Sequence, residues 1–184
     1  MAATAEPTLH ALTVGAVQAT GADAGWLLGR PADGQLSVLA TSGAGTTAIG
    51  TAVSTEQGVA GFVMGSGQPM SITPSSSDRG LDADIAALAG RAPRSLLCVP
   101  CANDEDVAGV LVLIDKQGGG SFTIDDVELA TLLAGVAGVA LGDRDVVSSA
   151  PEPAALGAEL EQLARSEPDR YRTVAALIEA LLGS

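Results

Sequence analysis

The stretch that decides the fold runs from Arg94 to Leu141 and reads RSLLCVPCANDEDVAGVLVLIDKQGGGSFTIDDVELATLLAGVAGVAL. Within it, Ser95–Cys101 and Val107–Ile114 are apolar runs of strand length, and the acidic segment 103–106 separates them as a turn. Three glycines at 118–120 then break the chain before a longer apolar segment. The pattern predicts a buried hairpin followed by a long helix.

The start of that helix has its own signal. Thr123 is a good N-cap residue, and Asp126 stands three positions later, where it can act as the reciprocal partner. Beyond it, apolar residues recur at the spacing of one helix face. They are Leu129, Leu132, Leu133, Val136, Val139 and Ala140.

Several segments, in this order, resemble a GAF domain: GVAGFVMGSGQPMSI, RSLLCVP, the acidic turn, VAGVLVLIDK and FTIDDVELATLLAGVAGVAL. The resemblance covers about residues 8 to 143. It implies an α/β domain of the α+β type with a central antiparallel sheet. Helices from the first and last segments are expected on one face of the sheet and a small-molecule pocket on the other. GAF domains act as ligand-sensing, chromophore-binding or dimerising modules, and few are enzymes.

The domain organisation follows from changes in composition along the chain. Residues 1–7 are expected to form a flexible arm, 8–147 the GAF-like domain, 148–153 a linker rich in Ser and Pro, and 154–184 a pair of C-terminal helices. The last helix carries an apolar stripe that must bury against the domain, a second copy or a partner. Its members are Val174, Leu177, Ile178, Leu181 and Leu182.

The composition limits the classes of partner. Of 184 residues, 47% are apolar but only 2% aromatic, so the core must be built from aliphatic side chains. A net charge of −13 argues against nucleic acid and against anionic membranes, since both need a basic surface. The sequence shows no secretion signal and no apolar run of about 18 residues, and a cytoplasmic protein is expected.

Cys98 and Cys101 have the C-x-x-C spacing of redox and zinc sites. In a strand, however, residues three apart point to opposite faces of the sheet, so the two sulfurs are not expected to share a disulfide or a metal. The enzymatic exception among GAF-like proteins, a free methionine sulfoxide reductase, uses cysteines on loops that face the pocket, which neither residue matches. His10, the only histidine, is expected on the first helix, away from the pocket. We therefore expect no catalysis, no metal and no cofactor.

Asp115, Lys116, Phe122 and Asp126 resemble the Asn-Lys…Phe…Asp-Glu signature of cyclic-nucleotide-binding GAF domains. Two positions differ, because Asp115 stands in place of Asn and Val127 in place of Glu. In that family the Lys–Asp pair resembles a salt bridge that ties the last strand to the last helix. By similarity, Lys116 and Asp126 are expected to form a structural ion pair, and contact with a ligand stays as the alternative.

The residues best suited to a ligand lie around segment 73–88 and on one face of the strand that follows it. Loops carried by a rigid sheet are where binding groups tend to sit. The candidates are Ile72, Ser75, Asp78, Arg79, Asp84, Leu88, Arg94 and Leu97. In the alternative interpretation the serines are a plain loop, and Asp78 pairs with Arg79 or caps the next helix.

Two hypotheses of different class follow. The first is a non-catalytic sensory or regulatory module that binds an unidentified small molecule and signals through protein contacts. The second is an adaptor with a vestigial pocket, whose terminal helices mediate homodimerisation or partner binding. A small redox enzyme, dependent on Cys98, is a third and weaker interpretation.

Overall fold

The computed structural model describes residues 7–30, 35–44, 49–54, 58–74, 83–103 and 106–148, with only the backbone from 143 to 148. Six further residues are described in the C-terminal part, at positions 161, 162, 165, 166, 168 and 172. The chain divides into two compact units, Met1–Ser148 and Ser149–Ser184.

The first unit has an α+β architecture, and the predicted fold class is confirmed. The long helix begins directly after Thr123, as expected, but continues to Ser148. The elements of the described residues are α1 (Pro7–Thr20), β1 (Ala22–Gly29), β2 (Leu36–Gly43), β3 (Ala52–Val53), α2 (Gly58–Ser66), β4 (Met70–Ile72), α3 (Ala83–Ala89), β5 (Leu96–Ala102), β6 (Val107–Lys116) and α4 (Ile124–Ser148).

The strands form one antiparallel sheet in the order β3-β2-β1-β6-β5-β4. Strand β6 lies in the middle, where Val112 pairs with Trp26 of β1 on one side and with Cys98 of β5 on the other. Its interior residues, 108 to 115, are all buried. A strand covered on both faces reads as a continuous apolar run, which is how this segment appears in the sequence.

The long-helix face of the sheet is covered by α1 and α4. Buried residues from both helices pack there against alternate residues of β1, β5 and β6. The cluster includes Leu9, Ala16 and Val17 of α1, Ala130, Ala134, Ala137 and Leu141 of α4, and Leu27, Leu97, Val99, Cys101, Leu111 and Leu113 of the sheet.

The short-helix face is covered by α2 and α3, which have nine and seven residues. Their buried residues pack against the other set of alternate strand residues. The cluster includes Val59, Val63 and Met64 of α2, Ile85 and Leu88 of α3, and Trp26, Leu28, Val38, Leu96, Cys98, Val110, Val112 and Ile114 of the sheet.

Helix α4 lies unusually close to the sheet because its inner side is made of small residues. A Cβ atom added to Gly138 would stand 2.2 Å from the carbonyl oxygen of Ala102 on β5. Leu141 of α4 is buried and Leu133 packs against the long-helix cluster, but several other large apolar residues of α4 point away from the sheet. Five are more than a third exposed: Ile124, Leu129, Leu132, Val136 and Val139.

The described residues of the second unit are helical and exposed. Arg165 and Glu161 form an ion pair at i, i+4 spacing with N···O 2.9 Å, a surface contact of small energetic value. The apolar stripe predicted from Val174 to Leu182 lies outside the described residues. Among the helices that the structure describes, none is both long and apolar enough to cross a membrane.

The contact between α4 and β5 generates a stability prediction. Gly138→Ala is expected to destabilise the domain by about 1–3 kcal/mol, because the new methyl group meets backbone that is unable to rotate away. Gly135→Ala on the same helix is the control. Nothing lies within 4 Å of its added Cβ, so gaining a better helix former should stabilise by up to about 1 kcal/mol. Urea unfolding of both variants measures the difference, and equal midpoints would contradict the close approach.

Candidate functional site

Lys116, the last residue of β6, joins three elements. Its Nζ donates to the carbonyl oxygen of Thr20, at the end of α1, over 2.6 Å. The same group contacts both carboxylate oxygens of Asp126 in the first turn of α4, at 2.7 and 2.8 Å. The three N–H donors of the ammonium group thus have three acceptors within the fold, which favours a structural role for the pair over contact with a ligand.

Asp126 also forms the capping arrangement that begins α4. Its Oδ2 accepts from the backbone N–H of Thr123 over 2.8 Å, and its own N–H donates to Thr123 Oγ1 over 3.3 Å. The residue is only 5% exposed. Burial alone would raise the pKa of Asp126, but the hydrogen bonds from Lys116 and Thr123 outweigh it and lower the pKa below its ordinary value.

Asp115, the neighbour of Lys116, holds the connection between α3 and β5. It has a left-handed backbone conformation, φ 55°, which Asp and Asn tolerate better than most residues. Its fully buried carboxylate accepts from the backbone N–H of Arg94 over 2.6 Å and contacts the Arg91 guanidinium. Arg91 also donates to Asp23 at the start of β1, over 2.7 Å.

The predicted ligand residues fall into separate groups. Ile72 and Leu88 pack in the short-helix cluster, and Asp84 lies half-buried one turn before Leu88 on α3. Arg94 is at the other end of the connection that follows α3, where its Nε lies 3.8 Å from Asp115 Oδ1 and its side chain is 71% exposed. Ser75, Asp78 and Arg79 lie outside the described residues.

Leu97 lies on the face that packs against α1 and α4, opposite to the face on which the sequence predicts the pocket. Leu97 is fully buried in the long-helix cluster, whereas its neighbours Leu96 and Cys98 belong to the short-helix cluster. Side chains alternate along a strand, so a prediction displaced by one residue selects the opposite face. In β5 both faces are covered, and the apolar run gave no sign of which residues faced which helices.

Sequence reasoning missed Trp26. This residue, the only tryptophan of the chain, is fully buried in the short-helix cluster. Its indole Nε1 has no hydrogen-bond partner, and among the described residues it is the one buried side-chain nitrogen or oxygen in that condition. The available signal was compositional: a lone Trp placed in a predicted strand of a chain that is otherwise poor in aromatics.

The structure confirms that the two cysteines face opposite sides of the sheet. Cys98 lies in the short-helix cluster and Cys101 in the long-helix cluster, both as free thiols. Burial raises the pKa of the Cys98 thiol strongly, and burial raises that of Cys101 to about 12 despite a backbone hydrogen bond from Leu111 that lowers it. Both are therefore protonated at neutral pH, and the nucleophilic thiolate is scarce.

Each described cation of the first unit is paired with a carboxylate. Arg30 pairs with Asp106, and the other pairs are those of Arg91 and Arg94 with Asp115 and of Lys116 with Asp126. The short-helix cluster consists of apolar side chains and one cysteine. His10 is exposed on α1, and the described residues include no group of His, Cys, Asp and Glu that could hold a metal ion.

Comparison with known proteins identifies related chains. Residues 4–141 match the GAF domain family. The chain is 29% identical over 146 residues to dual 3',5'-cyclic-AMP and -GMP phosphodiesterase 11A of Takifugu rubripes, an alignment that covers 75% of this chain and 15% of that protein. This chain thus spans a small fraction of the relative's length.

Solved structures agree in fold. The second GAF domain of DevS from Mycobacterium smegmatis superposes with TM-score 0.59 at 20% identity, covering 76% of this chain and 94% of that one. The GAF domain of an Acinetobacter phosphoenolpyruvate-protein phosphotransferase gives TM-score 0.65 at 17% identity, covering 79% and 89%. At these identities the likeness concerns the fold alone.

The lowered pKa of Asp126 predicts a pH dependence. A carboxylate with a depressed folded pKa stabilises the protein fully above the unfolded pKa, near 3.8, and loses that contribution as pH falls through the folded value. Asp126→Asn should therefore lower the free energy of unfolding by about 2 kcal/mol at neutral pH. The difference in this free energy between the variant and wild type should become smaller in acid.

Asp125→Asn is the matched control for this measurement. Asp125 is an exposed carboxylate in the same helical turn, so its loss should cost only a few tenths of a kcal/mol through the helix dipole. Urea unfolding across the acid range compares the three proteins. If the free energies of unfolding of wild type and Asp126→Asn differed by the same amount at every pH, the lowered pKa of Asp126 would be contradicted.

Proposed function

The chain belongs to the GAF domain family, whose members are small-molecule-binding sensory and regulatory modules, and on that premise we propose that it is a non-catalytic sensor. In this proposal a small molecule binds over the short-helix face, and the response leaves through contacts with other protein surfaces. The cytoplasmic location stays a prediction of the sequence.

The observation that carries the proposal is the difference between the two faces of the sheet. On the long-helix face, α1 and α4, of 14 and 25 residues, pack closely on the strands. On the short-helix face the cover consists of α2 and α3, and helices of nine and seven residues are too short to be stable without tertiary contacts. Such elements open locally at lower cost, which suits a face that must admit a ligand.

A route for the response runs along the end of β6. Arg91, just after α3, contacts the buried carboxylate of Asp115, and the next residue, Lys116, contacts α1 and α4. A shift of α3 on ligand binding would therefore act on a residue adjacent to the one that fixes the start of α4. We propose this contact series as the connection between the ligand face and the long helices.

A cyclic nucleotide is not the ligand we propose. The name of the Takifugu protein concerns cyclic AMP and GMP, but this chain spans only 15% of it. Asp115 and Val127 depart from the signature of cyclic-nucleotide-binding members, and Arg91 and Lys116 already form hydrogen-bonded ion pairs with carboxylates. A phosphate would need a free cation or an array of donors.

The sensor proposal predicts a bound small molecule. Native mass spectrometry of protein purified from its own host should show a stoichiometric adduct, which denaturation should release for identification. Ile72→Ser, at the partly buried edge of the short-helix cluster, should lower the occupied fraction because it replaces an apolar contact with a hydroxyl.

Ile124→Ser, at the exposed start of α4 and outside the short-helix cluster, makes the same chemical change and should leave the occupied fraction as in wild type. An empty wild-type protein, both as purified and after incubation with a small-molecule extract of the host, would contradict the sensor proposal. Equal loss of the adduct in both variants would place the ligand away from the short-helix face.

A second candidate function, assembly, is favoured by the outer side of α4. Leu129, Leu132, Val136 and Val139 are exposed there and follow one another at intervals of three, four and three residues. This alternation is that of the a and d positions in a coiled coil, which pair with the same positions of another helix. We define these four residues as the α4 seam.

We propose that the seam binds a second copy of the chain. A dimer with two-fold symmetry brings the same surface of both copies together, so one apolar seam is self-complementary and needs no other partner. The sensor and assembly functions are compatible. Lys116 and Asp126 fix the start of α4, so the helix that carries the seam is also the one that the proposed response reaches.

The assembly proposal predicts a dimer that depends on the seam. The double variant Leu132→Gln, Val136→Gln should raise the dimer dissociation constant at least tenfold, since each buried aliphatic side chain contributes about 1.5–3 kcal/mol. Thr131→Gln, exposed on α4 but off the seam, should leave it unchanged. Light scattering over a dilution series measures the mass. A monomeric wild type, or a seam variant that stays dimeric, would contradict the proposal.

A further inference from the structure

We propose that the indole N–H of Trp26 donates a hydrogen bond to the ligand, and that this ligand is an uncharged, largely apolar molecule with a carbonyl-type acceptor. The inference rests on the proposed sensor function and narrows it to one contact atom and one chemical class.

The unpaired donor is the starting observation. Trp26 is fully buried, and its Nε1 has no partner in the structure. Buried polar groups are almost always hydrogen-bonded, because leaving one unpaired forfeits its hydration without compensation. A ligand from outside the chain that brings a hydrogen-bond acceptor would explain why the packed sheet keeps this donor unpaired.

The position of Trp26 fits such a role. It lies on β1, next to the central strand, and pairs across the sheet with Val112, which pairs in turn with Cys98. All three belong to the short-helix cluster, which Val59 and Val63 of α2 and Leu88 of α3 also enter. The donor is therefore on the face assigned to the ligand.

The surroundings determine the charge of the ligand. Among the described residues, the buried charged side chains are Asp115 and Asp126, and each is already paired with a cation, Arg91 or Lys116. Burying an unpaired charge beside Trp26 would cost far more than one neutral hydrogen bond returns. Arg94 is largely exposed, with its Nε 3.8 Å from Asp115 Oδ1. A neutral acceptor on an apolar body is the chemistry that matches both the donor and its environment.

A buried water is the competing partner for the indole. Buried waters typically make about three hydrogen bonds, and two is the lower end of the range. Among the described residues, the buried polar side chains already have partners in the protein, and the proton of the Cys98 thiol is a weak donor. These side chains are Thr13, Thr20, Ser95, Asp115 and Asp126. A water at Nε1 would therefore be poorly satisfied, and a ligand that brings apolar surface with its acceptor is favoured.

Because Trp26 is the only tryptophan, a ¹H–¹⁵N correlation spectrum of the labelled full-length protein contains a single indole resonance. We would strip the protein of small molecules and titrate it with cyclohexanone and with methylenecyclohexane, which has the same shape but no oxygen. The ketone should move the indole proton downfield, while the alkene should perturb only backbone amides of the cluster. Cyclohexanecarboxylate, the anionic probe, should bind more weakly than the ketone.

The outcomes separate this inference from the function on which it rests. If both neutral probes perturb the amides of Val112 and Cys98 but the indole proton stays still, the ligand face stands and the role of Trp26 is wrong. If cyclohexanecarboxylate binds more tightly than cyclohexanone, the inference of an uncharged ligand is wrong. If the indole N–H of the stripped protein exchanges magnetisation with a bound water, that water is its acceptor and the proposal is wrong. No response to any probe also overturns it, while the native mass measurement still decides the sensor function.

Two variants separate the hydrogen bond from packing. Trp26→Phe should abolish the preference for ketone over alkene, a loss of several-fold to about tenfold for one neutral hydrogen bond. Val112→Ala, at the neighbouring position of the same face, should weaken both probes by the same factor and keep the preference. If Trp26→Phe does not fold, the indole shift of the wild-type protein still decides. A ketone preference retained in folded Trp26→Phe would overturn the proposal.

Discussion

The close approach of α4 to the sheet is the constraint on which the rest of the first unit depends. Where Gly138 meets the backbone of Ala102, no side chain fits, and Ala130, Ala134 and Ala137 continue the small-residue surface along the helix. Where small residues occupy the contact with the sheet, large apolar residues are left for the other side of the helix. The four residues of the α4 seam lie there, so the packing that fixes the fold also creates the exposed seam.

The second determinant is the charged end of β6. Asp115 takes a left-handed conformation at which its buried carboxylate contacts Arg91 and the backbone of Arg94, and Lys116 contacts both α1 and α4. Two adjacent residues thus serve opposite sides of the sheet. The Asp that replaces Asn in the family signature suits this arrangement, because it keeps the tolerated backbone conformation and adds a charge that Arg91 can pair with.

Much of this could be predicted from local pattern, because the signals were local. The β5–β6 hairpin, the Thr123 start of α4 and the opposite faces of Cys98 and Cys101 each depend on spacing within a few residues. The face on which Leu97 lies and the lack of a partner for the Trp26 indole could not be predicted. Strands covered on both sides show no alternation that reveals which face a side chain points to. The outward position of Leu132 and Val136 depends on how closely α4 approaches β5, which periodicity alone does not contain.

The two faces also differ in what they can exchange with their surroundings. A chain with net charge −13 repels anions and does not steer them to its surface, whereas neutral molecules approach it without an electrostatic barrier. The ionic contacts of Asp115 and Lys116 lie at the end of the central strand, between the proposed ligand face and α4, which carries the seam. A neutral ligand would therefore exert its effect by displacing α3, whose end the Arg91–Asp115 pair anchors, without competing for the charges. This arrangement favours recognition of the ligand by its shape and by one hydrogen bond, while the charged residues hold the long helices in place.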